Sequence, residues 1–183
     1  MASDLRCSGI AAVRLNTFEA YGMVTSSTTL GEMLAESVFS LATETTGADA
    51  EEAKRWEVEP SRYIREKLYL HLWCVDLAVT RAVGHESAHR PRILDAFYKR
   101  TGDIAAGIGW SSLMSDLAIR NASYAEAFNR PHEMGIPYTV GKAFALACNS
   151  EWDAAVIMIG AKLFAGYETA IGDLVRTWRR DHS

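Results

Sequence analysis

The sequence predicts an all-α fold, a single-domain bundle of about six helices, from three observations. Apolar residues recur at spacings of three and four along most of the chain, which is the mark of a helix that buries one face. Two stretches, 61–84 and 151–180, are apolar on nearly every side and read as the central helices, since a helix without a polar face has to be surrounded. Finally, 183 residues are enough to bury roughly 70% of the unfolded surface, so stability requires no metal or disulfide staple.

The elements follow in order. Residues 1–28 form an N-terminal arm in which VRLNTFEAYGMV reads as a short strand pair or an ordered segment. The bundle domain is expected over 29–183. Its first helix starts at Thr29 with Leu30, Leu34, Val38 and Leu41 on one side, capped by Thr28 or Thr29 with Glu32 in reach. It is expected to end at Gly47, a suitable C-cap. The charged piece 49–57 makes at most a helical turn before Pro60, and Ser61 then caps the helix 61–84. The segment 84–91, GHESAHRP, is a loop.

Helix 92–108 is amphipathic through Ile93, Leu94, Phe97 and Ile104, with glycines at 102, 107 and 109 weakening its end. Ser111 or Ser112 caps a helix through Leu113, Leu117, Tyr124 and Phe128, which stops before Pro131. After the loop 131–137, a helix over 138–148 is rich in small residues, so it can press close to a neighbour. Ser150, with Asp153 three residues on, is the expected capping box of helix 151–180. Arg176, Arg179 and Arg180 complement the negative end of that helix dipole.

The 23 acidic and 19 basic side chains, net charge −4, are well mixed, which argues against nucleic acid or an anionic membrane as a partner. Cys7, Cys74 and Cys148 are odd in number and far apart, so a disulfide framework is not expected and a cytoplasmic location is. Arg14 and Glu19 interrupt any signal-peptide core. The strongest apolar run, 154–161, is bounded by Asp153 and Lys162, far short of the roughly 20 residues that span a bilayer.

Helix 61–84 carries Glu66, His71, Cys74 and Asp76 among its apolar residues. At 100° per residue His71 falls in the stripe of Ile64, Leu68, Val75 and Val79, with Tyr69 and Trp73 on the other side and Asp76 roughly 140° from His71. Helix 151–180 has its stripe through Trp152, Val156, Ile159, Leu163, Tyr167 and Leu174. Only one helix of so small a bundle is easily surrounded, so the spare face of the other covers a second copy or a ligand cavity.

These features predict a non-catalytic binding protein, a homodimer, that recognises a small apolar ligand or a partner protein. Tyr69, Trp73 and Asp76, with His71 on the same helix, are the candidate ligand-binding residues. Asp76 has no base on its own helix, so it must take hydrogen bonds from a Trp, Tyr, Arg or backbone amide elsewhere.

Two other readings are open. His71 and Cys74, three apart, could give two ligands to zinc in a metal-dependent enzyme, with Cys148, His85, His89 or Glu66 completing the set. The ordinary reading is a neutral core imidazole bonded to a carbonyl or hydroxyl beside an inert thiol, with no metal and no cofactor. In 103–120, Ala105, Gly109, Trp110 and Ser111 resemble the turn of a helix-turn-helix module, which would imply a DNA-binding regulator. The helix after that turn offers only Arg120 as a cation, against the phosphate contacts such binding requires. No Glu-x-x-His pair stands on any predicted helix, and the chain has no Walker or Gly-x-Ser-x-Gly pattern to point to a reaction.

Overall fold

The computed structural model describes residues 26–181. Six helices follow one another: α1 (Ser27–Arg55), α2 (Pro60–Val83), α3 (His89–Gly107), α4 (Leu113–Asn129), α5 (Ile136–Ala147) and α6 (Ala154–Asp181). No strand occurs among the described residues, and the all-α bundle of six helices is the fold. The strand-pair or arm reading of the N-terminal segment, and Cys7 with it, lie outside the described residues. Ser26, by contrast, already belongs to α1: its hydroxyl accepts the Thr29 N–H at 3.1 Å, so the cap lies just before the position expected for it.

Several helix boundaries differ from the sequence reading, among them that of α5, which starts at Ile136 inside the expected loop 131–137. α1 does not stop at Gly47 but runs to Arg55, because its second half is tied to α2. Lys67 Nζ bonds Asp49 at 2.5 Å and Tyr63 Oη donates to Glu52 at 2.6 Å, contacts that outweigh the cost of about 1 kcal/mol for a helical glycine. α2 is capped by Glu59 rather than Ser61. The Glu59 carboxylate accepts the N–H groups of Ser61 and Arg62 at 2.9 and 2.7 Å, and Pro60 takes the first helical position, where a missing N–H costs nothing. α6 begins at Ala154, with Asp153 as its cap: Asp153 Oδ1 accepts from Ala155 and Val156 at 2.8 and 3.2 Å. Ser150 and Trp152 therefore lie in a turn. α3 in turn reaches back into the expected loop, with Pro91 in its first turn.

α1 and α2 form an antiparallel pair. α3 lies parallel to α1, as the pairs Ser27–His89 and Glu36–Arg100 show. α6 runs parallel to α2, with Phe164 against Trp73 near its middle and Arg179 Nη1 donating to the Ala82 carbonyl at 2.8 Å near its end. α5 folds back on α6. Glycines permit the two closest approaches: a Cβ on Gly31 would overlap the Ile93 carbonyl of α3, and one on Gly141 would overlap the Ile157 carbonyl and come within 2.7 Å of the Ala161 nitrogen of α6. The small-residue helix thus packs as its composition predicts.

Every residue of α2 from 68 to 75 is buried, so α2 is the surrounded helix. α6 is not. Val156, Leu163 and Tyr167 of the predicted stripe are buried, and the buried side extends beyond them to Ile157, Gly160, Ala161, Phe164, Ile171 and Val175, where glycine and alanine allow close contacts. Trp152 is 81% exposed, and Met158 is 48% exposed. By length and composition alone α6 could cross a membrane; in this fold its inner side packs on α2 and α5.

Candidate functional site

The four candidate residues of α2 do not form one site. Trp73 is enclosed by rings, with Tyr124, Phe164 and Phe128 at 5.4, 5.8 and 6.1 Å between centroids. Asp76 has the outside donor its position demands: Tyr98 Oη of α3 donates to Asp76 Oδ2 at 2.6 Å, and Asn121 Nδ2 of α4 donates to the same Tyr98 oxygen at 3.2 Å. Arg90 reaches the neighbouring Thr80 hydroxyl at 2.9 Å. Asp76 therefore stands in a polar chain that links α2, α3 and α4.

His71 faces the other way. It finds an aromatic ring rather than the hydroxyl or carbonyl expected: it stacks on Tyr167 with 3.9 Å between centroids and 4° between planes. Burial, helped by the nearby Lys67 charge, drives its pKa down to about 3, so the ring is neutral near pH 7. Burial likewise raises the Cys74 thiol well above its ordinary range. Among the described residues no group of three His, Cys, Asp or Glu side chains comes together to hold a metal ion. Glu66, one of the conceivable ligands, is engaged elsewhere, and His89 Nδ1 bonds the Ser27 hydroxyl at 2.8 Å.

Tyr69 marks a cleft of about 210 Å³ between α2 and α4. An ion pair forms part of its lining. Arg120 grips Glu66 through Nε and Nη2, each at 2.6 Å, and the Glu66 side chain is only 6% exposed. Beside it, Asp116 Oδ2 accepts from Tyr69 Oη at 3.1 Å and from Ser112 Oγ at 2.9 Å. Burial and the Asp116 charge both raise the Tyr69 pKa, so its hydroxyl stays a donor. Arg62 and Arg65 complete the polar wall, and Ile119 stands at the rim. Two residues the sequence reading does not single out, Arg62 and Arg65, thus line this polar cleft.

The helix-turn-helix resemblance lands on α3, a turn and α4, with Gly109 at φ 74° in the turn and Leu113 and Leu117 buried beneath. Arg120 points at Glu66 instead of outward. The exposed positions Met114, Ser115, Ala118, Ile119 and Ala122 carry no positive charge with which to meet phosphates.

A second concavity, of about 610 Å³, opens where the α1–α2 and α5–α6 turns meet. Glu57 and Asn149 reverse the chain there with φ of 55° and 59°. Trp56, Leu146 and Trp152 line the groove, with Glu57, Glu151 and Asp153 among its polar residues. Leu146 is 53% exposed, and Lys142 Nζ lies 5.4 Å from the Trp152 ring centre. Periodicity places Trp152 in the α6 stripe, which hides this surface in the sequence. The available signal was Asn149–Ser150, a turn pair just before Asp153.

Compared with known proteins, the chain matches no family model, and no curated protein or solved structure matches it.

Proposed function

We propose that the chain is a non-catalytic binding protein whose working surface is the groove at Trp152, and that a second copy of the chain fills it in a homodimer. The observation that carries this reading is the exposure of Trp152, 81%, next to Leu146 at 53%. Covering side chains of this kind contributes about 1.5–3 kcal/mol each, and aromatic anchors of this type dominate association energies. The interior, where Trp73 is already enclosed by rings, offers an apolar ligand less than this surface offers a partner.

The charges around the groove favour a second copy as that partner. Lys142, Glu57 and Glu151 have no ion-pair partner among the described residues. A twofold axis sets one patch against itself, so the cation of one copy meets the carboxylates of the other while the tryptophans cover the apolar floor.

Light scattering across a micromolar concentration series tests this. The wild type is expected at the mass of two chains, and Trp152→Glu at the mass of one, with helical circular dichroism unchanged. A wild-type mass of one chain, or a Trp152→Glu protein that still forms the dimer, would overturn the reading.

A further inference from the structure

We infer that the cleft between α2 and α4 is a binding site for a small oxyanion, a phosphate or carboxylate group, held by Arg62 and Arg65 with Arg120 behind them. The argument starts from which donors are already used. Arg120 commits Nε and Nη2 to Glu66, and this two-point grip cancels the Glu66 charge while fixing the plane of the guanidinium. Its Nη1 side remains. Among the described residues the Arg62 guanidinium donates only to the Ala147 carbonyl, at a long 3.5 Å. Arg65 is exposed and makes no hydrogen bond or ion pair among the described residues, although it lies close enough to lower the Tyr69 pKa.

Three guanidinium groups therefore share a concavity of about 210 Å³ with two carboxylates, one of them neutralised by its pair. That leaves an excess of cationic donors in a space smaller than the roughly 300–1,000 Å³ of a drug-sized pocket. A guanidinium fork matches the oxygens of phosphate or carboxylate in two-point geometry. Asp116 is the opposing element. Among the described residues its carboxylate is met only by the hydroxyls of Tyr69 and Ser112, so it repels an incoming anion and weakens the site it lines. This opposing charge gives the inference a discriminating test, because removing Asp116 must tighten binding where removing Arg65 loosens it.

Trp110 supplies the readout, since its ring packs on Tyr69 at 5.9 Å beside the cleft. The indole N–H signal of Trp110 is followed by heteronuclear NMR in the full chain, at constant ionic strength, during separate titrations with inorganic phosphate, succinate and chloride. A saturable displacement with phosphate, succinate or both, and none with chloride, is expected. Response to phosphate alone identifies a phosphoryl ligand, and response to succinate alone a carboxylate ligand. Arg65→Gln, at an exposed position, is expected to weaken the apparent affinity about tenfold, and Asp116→Asn to strengthen it. The inference is overturned if neither oxyanion gives a saturable displacement, if Arg65→Gln leaves the affinity unchanged, or if Asp116→Asn weakens it. The mass of the Trp152→Glu protein does not bear on any of these outcomes.

Discussion

The imidazole of His71 lies flat on the phenol ring of Tyr167, with 3.9 Å between centroids and 4° between planes. A titratable ring on α2 is thereby held as a neutral packing element against α6, and burial keeps it so down to about pH 3. The folded pKa is lower than that of a free histidine, about 6.5. Between those values the unfolded chain binds a proton that the folded chain does not, so stability is complete above the unfolded pKa and declines as pH falls towards the folded one. From pH 7.5 to 5.5 the wild type should lose about 1.4 kcal/mol more than His71→Phe, which keeps the stack and removes the titration. Urea unfolding at the two pH values measures this. Equal losses in the two proteins would mean that His71 is protonated in the fold.

Glu66 depends on Arg120. The carboxylate side chain is 6% exposed and both of its oxygens are engaged by one guanidinium. Arg120→Met leaves that charge buried without a partner, at an expected cost of about 3 kcal/mol. Adding Glu66→Gln in the same chain should return part of the loss, because an amide carries no charge to desolvate. Denaturant midpoints of the wild type, the single variant and the double variant decide it: a double variant less stable than Arg120→Met would show that the carboxylate is useful without the arginine.

Two glycines of similar helical setting should respond in opposite directions. Gly141 sits where a Cβ would meet the Ile157 carbonyl and the Ala161 nitrogen, and these are backbone atoms that cannot swing aside. Gly141→Ala is therefore expected to destabilise by about 1–3 kcal/mol, the range for overpacking. Gly47 is exposed inside α1, with open space where its Cβ would lie. Gly47→Ala should stabilise by about 0.5–1 kcal/mol through helix propensity. Thermal unfolding followed by circular dichroism reads both, and a destabilised Gly47→Ala would mean that α1 is interrupted there after all.

Periodicity makes α2 legible because its apolar residues, the half-buried Ile64 and Leu77 apart, are buried for the reason the pattern assumes, and the residues 68–75 are all buried. Caps were less legible. Ser61 and Ser150 are good capping residues, but Glu59 and Asp153 lie at the points where the backbone turns into the helix, and the position of that turn depends on how neighbouring helices pack. Gly47 reads as a stop on local propensity alone, which takes no account of the Asp49–Lys67 and Glu52–Tyr63 ties to α2. The site residues show the same limit. Arg120 read as the lone cation of a recognition helix, whereas its partner Glu66 is 54 positions away, beyond any helical spacing rule. Trp152 falls on the core stripe only if α6 starts at 151, whereas α6 starts at Ala154 and Trp152 is an exposed turn residue.

Asp76 and Tyr98 supply the test of whether the acid on α2 is structural. The Tyr98 hydroxyl donates to Asp76 Oδ2 at 2.6 Å and accepts from Asn121 at 3.2 Å, so a single phenol oxygen connects three helices. Burial and the Asp76 charge both raise the Tyr98 pKa, which keeps the phenol proton in place to bridge. A hydrogen bond to a charged acceptor contributes about 1.5–3 kcal/mol. Asp76 is partly exposed, so water compensates some of the loss, and Asp76→Asn and Tyr98→Phe should each cost about 1–2 kcal/mol. If the two side chains act through one another, the double variant costs less than the sum, by about 1 kcal/mol of coupling. Equilibrium unfolding of the four proteins of this cycle gives that coupling. A coupling near zero, with Asp76→Asn as stable as the wild type, would release Asp76 from a structural role and make its carboxylate a binding group, whereas the expected coupling identifies it as the tether that sets the register of α2 against α3 and α4.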